Sequence, residues 1–123
     1  MNVAYVTTDE VNENWAQDLA AESMITLSIH GPQDAPHNGE FDAVVYDWDF
    51  LPPEWRHEVL AVLLATPPSR PVAVHGYHLP DEQISALRAN GVHVYRHLTP
   101  EVFQALQPHP LSENGLWGQQ SRP

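Results

Sequence analysis

The stretch FDAVVYDWDFL (residues 41–51) decides the fold of this chain. Its apolar residues run without alternation from position 43 to position 46, which is typical of a central parallel strand that is buried on both faces. Two carboxylates, Asp47 and Asp49, follow this strand directly. The segment therefore predicts a buried strand that delivers acidic side chains to the carboxyl-terminal edge of a parallel sheet.

Strand and helix patterns alternate along the rest of the chain. Strands are predicted at residues 3–6, 25–29, 43–46, 71–74 and 92–95. Helices are predicted at residues 14–24, 54–65, 81–89 and 100–107. Asn12 or Asn14 is the predicted N-cap of the first helix, whereas residues 33–40 have too few apolar positions for an amphipathic helix. Because parallel neighbours need right-handed crossovers, this order predicts a five-stranded parallel sheet with strand order 2-1-3-4-5.

Length and composition indicate one small acidic domain. The 123 residues include sixteen acidic side chains, five arginines and no lysine or cysteine, which gives a formal net charge of −11. This charge disfavours binding to nucleic acid or to an anionic membrane, and the lack of thiols excludes disulfides and thiolate chemistry. We expect a cytoplasmic protein, because the sequence shows neither an export signal nor a long apolar run. Residues 1–107 are predicted to form the domain, and residues 108–123 a disordered tail.

The order and spacing of these elements resemble the receiver domain of two-component response regulators. FDAVVYD resembles the strand that carries the phosphoacceptor aspartate, which puts Asp47 at the acceptor position. NGVHVY (residues 90–95) resembles the end of the fifth strand, which puts Tyr95 where receivers carry an aromatic residue that changes rotamer on activation. The resemblance implies a flavodoxin-like (CheY-like) three-layer α/β sandwich, here with the second helix shortened or absent.

The residues that would support phosphoryl chemistry differ from the receiver pattern. Thr7 and Thr8 stand where the resemblance implies a magnesium-binding acidic pair, and Asp9 is displaced towards the loop. Gly76 replaces a small hydroxyl residue, and Leu98 stands at the position of a lysine. Phosphoryl transfer depends on positioning and on neutralised charge, so the resemblance implies a degenerate pseudo-receiver without a cofactor or an enzymatic activity. The predicted crevice consists of Thr7, Thr8, Asp9, Asp47, Asp49, Gly76 and Leu98.

These departures favour protein contacts over phosphate chemistry. We predict a phosphorylation-independent signalling or scaffolding module that binds a protein partner, which includes the case of a homodimer. The candidate switch residue is Tyr95. The candidate interaction residues are Trp48 at the crevice mouth and Leu116 and Trp117 in the tail, because exposed tryptophans often anchor interfaces. Trp15, in contrast, is predicted to lie in the core between helix and sheet, and Val62 is predicted to lie on the apolar stripe of the helix at residues 54–65.

Two alternative functions remain open. The first is an atypical receiver in which Asp47 accepts a phosphoryl group without the usual partners. The second is a metal-binding protein or an enzyme that uses the histidine-rich edge, where three imidazoles and one carboxylate would form a plausible zinc set. Those histidines are His75, His78 and His97. Asp49 is expected to cap the turn that precedes the helix at residues 54–65.

Overall fold

Five short parallel strands form the centre of the structure. The computed structural model describes residues 1–31 and 41–107. Its strands are β1 (Asn2–Val6), β2 (Thr26–His30), β3 (Ala43–Asp47), β4 (Val72–His75) and β5 (His93–Tyr95). The described helices are α1 (Glu10–Glu22), α2 (Pro53–Ala65), α3 (Asp81–Ala89) and α4 (Pro100–Gln104), with a 3-10 helix at Trp48–Phe50.

The sheet has the strand order β2-β1-β3-β4-β5, and every neighbouring pair is parallel. This order confirms the predicted flavodoxin-like α/β fold. The shortened second helix was predicted from residues 33–40, and the tail from residues 108–123. Both predictions, and with them Leu116 and Trp117, lie outside the described residues.

The sheet separates two apolar clusters. The cluster under α1 and α4 includes Val3, Tyr5, Ala16, Leu19, Ala20, Val45, Val102 and Phe103. The cluster under α2 and α3 includes Trp48, Leu63, Val74, Leu79, Ile84, Leu87 and Val94. Alternate residues of a strand point to opposite faces, so β3 contributes Val45 to the first cluster and Tyr46 to the second. The continuous apolar run of β3 is explained by this burial on both sides.

The first helix begins earlier than the sequence predicts. The carboxylate of Asp9 accepts a hydrogen bond from the backbone N–H of Asn12 at 2.9 Å, which makes Asp9 the N-cap. The prediction of Asn12 or Asn14 as cap is therefore wrong. Glu10 and Glu13 occupy the first turn, where negative charge interacts favourably with the helix dipole.

Two helices expose apolar residues that the sequence predicts to be buried. In α1 the buried side chains are Ala16, Leu19 and Ala20, whereas Trp15 is 48 % exposed. In α2 the only buried residue is Leu63, and Val62 is 69 % exposed. The core predictions for Trp15 and Val62 are therefore wrong. None of the described helices is long and apolar enough to cross a membrane.

Candidate functional site

The candidate site lies where β1, β3 and β4 end, and Asp47 is at its centre. Its side chain is buried, and one carboxylate oxygen, Oδ2, accepts two hydrogen bonds. The hydroxyl of Thr7 donates one at 2.8 Å, and the side-chain amide of Asn12 donates the other at 3.0 Å. The Thr7 hydroxyl also accepts the backbone N–H of Asp9 at 3.0 Å. Both donors to this carboxylate oxygen are therefore neutral groups.

His75 is the second buried polar residue at this edge. It pairs in register with Asp47, and its Nδ1 lies 3.8 Å from Oδ1 of that carboxylate. Its Nε2 lies 2.8 Å from the hydroxyl of Tyr5. Burial lowers the pKa of His75, and the negative charges of Asp47 and Asp49 oppose this effect.

The hydroxyl of Tyr5 stays protonated in this environment. Burial raises its pKa above the ordinary value of 10.0, and the charge of Asp47 acts in the same direction. A neutral His75 ring can therefore accept a hydrogen bond from the Tyr5 hydroxyl at Nε2 and direct its own Nδ1–H towards Asp47. Tyr5 and Asn12 are site residues that the sequence analysis missed. Their positions in the sequence were the available signal. Tyr5 is a polar aromatic residue near the end of β1, and Asn12 lies in the first turn of α1, directly after that strand.

Trp48 packs inside the protein instead of standing at the crevice mouth. Its side chain is only 6 % exposed and belongs to the cluster under α2 and α3. A Cβ added at Gly76 would lie 2.7 Å from Trp48 Cβ and 3.2 Å from both Cγ and Cδ1. The prediction of Trp48 as an exposed contact residue is therefore wrong, because burial of its large apolar surface is more favourable. The tryptophan also explains the glycine, since no side chain fits at position 76.

Asp49 and Arg96 hold the loop between β4 and α3. The Asp49 carboxylate accepts the backbone N–H groups of Tyr77 at 2.7 Å and His78 at 3.1 Å. From the other side, the guanidinium of Arg96 donates to the carbonyl oxygens of Tyr77 at 3.0 Å and Leu79 at 3.1 Å. The expectation that Asp49 caps the turn before α2 is wrong, because its oxygens bond to this neighbouring loop. Arg96 is a further residue whose role the sequence did not reveal.

The remaining predicted crevice residues make local contacts around this centre. The hydroxyl of Thr8 donates to the carbonyl oxygen of Phe50 and so joins the loop after β1 to the 3-10 helix. Leu98 is partly buried, and its carbonyl oxygen accepts the indole N–H of Trp15 at 3.1 Å. Tyr95 is also partly buried against the cluster under α1 and α4. Its role as a switch stays a prediction.

The three histidines of the predicted zinc set do not converge. His75 faces Asp47, whereas Nδ1 of the exposed His78 lies 3.4 Å from a carboxylate oxygen of Asp49. The ring of His97 packs against Tyr77, with 5.6 Å between centroids. Within residues 1–31 and 41–107, no group of three or more His, Cys, Asp or Glu residues is placed to hold a metal ion. The metal-binding alternative thus finds no support in this part of the chain.

Comparisons with known proteins give structural matches only. No family model and no curated protein matches the sequence. The non-phosphorylated HemR receiver domain from Leptospira biflexa matches with a TM-score of 0.67 at 12 % identity, over 88 % of this chain and 98 % of its own. A response regulator receiver protein from Pseudoalteromonas atlantica matches with a TM-score of 0.64 at 9 % identity, over 85 % and 93 %. Chemotaxis protein CheY4 from Vibrio cholerae gives 0.62 at 13 %, over 84 % and 92 %. The chain therefore has the fold of response-regulator receiver domains, as the strand that ends in Asp47 predicts.

Proposed function

We propose that this chain is a phosphorylation-independent signalling module that acts through protein contacts. The observation that carries this proposal is the state of Asp47, whose side chain is 1 % exposed. An acceptor oxygen must approach a phosphoryl donor in line, and here Oδ2 already accepts hydrogen bonds from Thr7 and Asn12. Attack through Oδ2 would have to break these bonds, and attack through either oxygen would bring a dianionic group into a buried site.

The charges that would compensate for this cost are engaged elsewhere. Threonines replace the acidic pair that could hold a hard dication, and the sequence has no lysine. Arg56 donates to the carbonyl oxygens of Trp48 at 3.0 Å and Asp49 at 2.7 Å. Arg96 donates to the loop between β4 and α3. Both guanidinium groups therefore hold backbone in place, which leaves the transition state of phosphoryl transfer without their charge.

A signalling role is supported by the descriptions of the proteins whose structures are similar to this chain. They are described as response regulators, receiver domains and a chemotaxis protein, and this chain spans nine-tenths or more of each of the three named above. The net charge of −11 disfavours nucleic acid and favours a neutral or basic protein as partner. We also propose a cytoplasmic location and a non-enzymatic role.

Incubation with acetyl phosphate and Mg²⁺, followed by intact mass spectrometry, tests this proposal. We expect no phosphoryl adduct on the wild-type chain under conditions that phosphorylate an ordinary receiver domain in parallel. Asp18→Asn is the matched control, because Asp18 is an exposed carboxylate on α1. An adduct that forms on the wild type and on Asp18→Asn, but not on Asp47→Asn, would establish the alternative function of an atypical phosphoacceptor and refute our proposal.

A further inference from the structure

The outer face of α1 carries two exposed apolar side chains one helical turn apart. Val11 is 73 % exposed and Trp15 is 48 % exposed. Asp18 and Glu22 continue the same stripe towards the end of the helix and are also exposed. A helix that covers a sheet normally presents polar residues on its outer face. Packing among the described residues therefore does not explain why this stripe begins with valine and tryptophan.

The indole of Trp15 is held in a defined orientation. Its Nε1–H donates to the carbonyl oxygen of Leu98 at 3.1 Å, in the loop between β5 and α4. An aromatic ring that is already fixed loses little conformational entropy when a partner covers it. Large, oriented tryptophans of this kind are enriched among the residues that dominate binding energy at interfaces. The geometry thus favours Trp15 as an anchor for a partner.

The charged residues of α1 and of its neighbour α4 are all acidic. The helices α1 and α4 contain no arginine, and their acidic residues are Glu10, Glu13, Asp18, Glu22 and Glu101. The asymmetry extends to the whole chain, because residues 1–58 contain twelve acidic residues and one arginine, whereas residues 59–123 contain four of each. The net charge of −11 therefore belongs to the half of the sequence that includes α1. A second copy of this face would be repelled, and a basic surface would be attracted.

We infer that the outer face of α1 docks a basic protein segment, with Trp15 as the central anchor. An apolar side chain of the partner packs on Val11 and Trp15, while its lysines or arginines face the surrounding carboxylates. The apolar centre supplies most of the affinity, and the charged rim supplies rapid association and selectivity. This inference rests on the proposed function, since it names the surface and the partner class of a module that acts through protein contacts.

Selection of displayed random peptides against the full-length chain tests this surface. We expect enrichment of peptides that combine lysine or arginine with leucine, phenylalanine or tryptophan. Binding of the synthesised peptides is then measured by fluorescence anisotropy at low and high salt. Trp15→Ala is expected to weaken binding by roughly 30-fold, the loss typical of an interface anchor, and added salt to slow association. Trp15→Phe keeps an apolar ring without the N–H donor and should lose less.

The matched control is Val62→Ala, because Val62 is 69 % exposed on α2 and belongs to a different surface. We expect this variant to bind within about twofold of wild type, as most non-anchor positions do. Circular dichroism of each variant verifies that it is folded. Three results would overturn the proposal that the outer face of α1 binds a basic segment. They are enrichment of acidic or neutral peptides, no enrichment at all, and equal binding by wild type and Trp15→Ala. Loss of binding in Val62→Ala alone would also overturn it but would leave the proposed function intact.

Self-association provides a further outcome. If sedimentation of the full-length chain showed a dimer that Trp15→Ala dissociates, the occupant of this face would be a second copy, and the basic segment would be refuted. Failure of the proposed function itself is detected separately, as a phosphoryl adduct on Asp47 in the acetyl phosphate experiment. The two failures can therefore be distinguished.

Discussion

Replacement of Gly76 by alanine tests whether Trp48 fills the space beside the end of β4. The added Cβ would meet Trp48 Cβ at 2.7 Å, and Cγ and Cδ1 at 3.2 Å. Because Cβ is bonded directly to Cα, rotation of the Trp48 side chain cannot move it away. Only a shift of β4 or of the 3-10 helix relieves the clash, and close-packed interiors resist such shifts. Serine, which would restore the hydroxyl group of the receiver pattern, meets the same contact.

Overpacking of this kind costs about 1–3 kcal/mol of the free energy of unfolding. In a domain of this size, each kcal/mol corresponds to a decrease in Tm of roughly 4–8 °C. The assay is urea denaturation followed by far-ultraviolet circular dichroism, with an unchanged m-value as evidence that only stability has changed. The other described glycines provide a graded comparison, because each one isolates a different physical effect.

Gly31→Ala is the matched control, because a Cβ at that position has no neighbour within 4 Å. We expect it to change the free energy of unfolding by less than about 0.5 kcal/mol. Gly91 also has open space around it, but its φ of +87° strains any L side chain, so Gly91→Ala should cost about 1 kcal/mol. If Gly76→Ala is no more destabilising than Gly31→Ala, the conclusion that Trp48 excludes a side chain at position 76 is refuted.

Two further predictions concern the buried polar groups. Burial lowers the pKa of His75 below the ordinary value of 6.5, so the unfolded chain binds more protons and the free energy of unfolding should decrease as pH falls below 6.5. This contribution cannot exceed about 1.4 kcal/mol per pH unit, and His75→Gln should remove it in urea titrations, so parallel curves for variant and wild type would contradict the assignment. Asp49→Asn leaves one acceptor oxygen for the N–H groups of Tyr77 and His78, and should cost about 1–3 kcal/mol. Hydrogen exchange should then be faster at both amides, and unchanged protection would show that Asp49 does not hold this loop.

The sheet could be predicted from the sequence because its central strands are apolar on both faces. The run at positions 43–46 has no alternation, and in the structure it contributes to both clusters. Helix faces were less predictable. The buried side of α1 consists of Ala16, Leu19 and Ala20, two of which have small side chains. Small residues give a weak hydrophobic signal, so the sequence pattern favours the larger Trp15 as the core residue, although it lies on the outside.

The site could be predicted only in part. The ends of parallel strands meet at one edge, and this rule alone was enough to place Thr7 near Asp47. It could not give the contacts that determine their chemistry, because these depend on distances between side chains far apart in the sequence. The pair of Tyr5 and His75, separated by 70 positions, is one example. The lack of space for a side chain at position 76 is another, since its cause is Trp48, which lies on a different element.

The bonds from Asp49 and Arg96 to the loop between β4 and α3 have a consequence for how information could pass through this module. All of these bonds join groups of the protein itself, so they form without phosphorylation. Under the proposed function, this loop therefore keeps its conformation without a phosphoryl signal, and phosphorylation shifts no conformational equilibrium. The fraction of partner bound would then depend only on the concentrations of the two proteins and on their affinity. The cell would adjust the response by changing the rate at which the chain is synthesised or degraded. Under the proposed function, the concentration of this protein in the cell determines the strength of the signal.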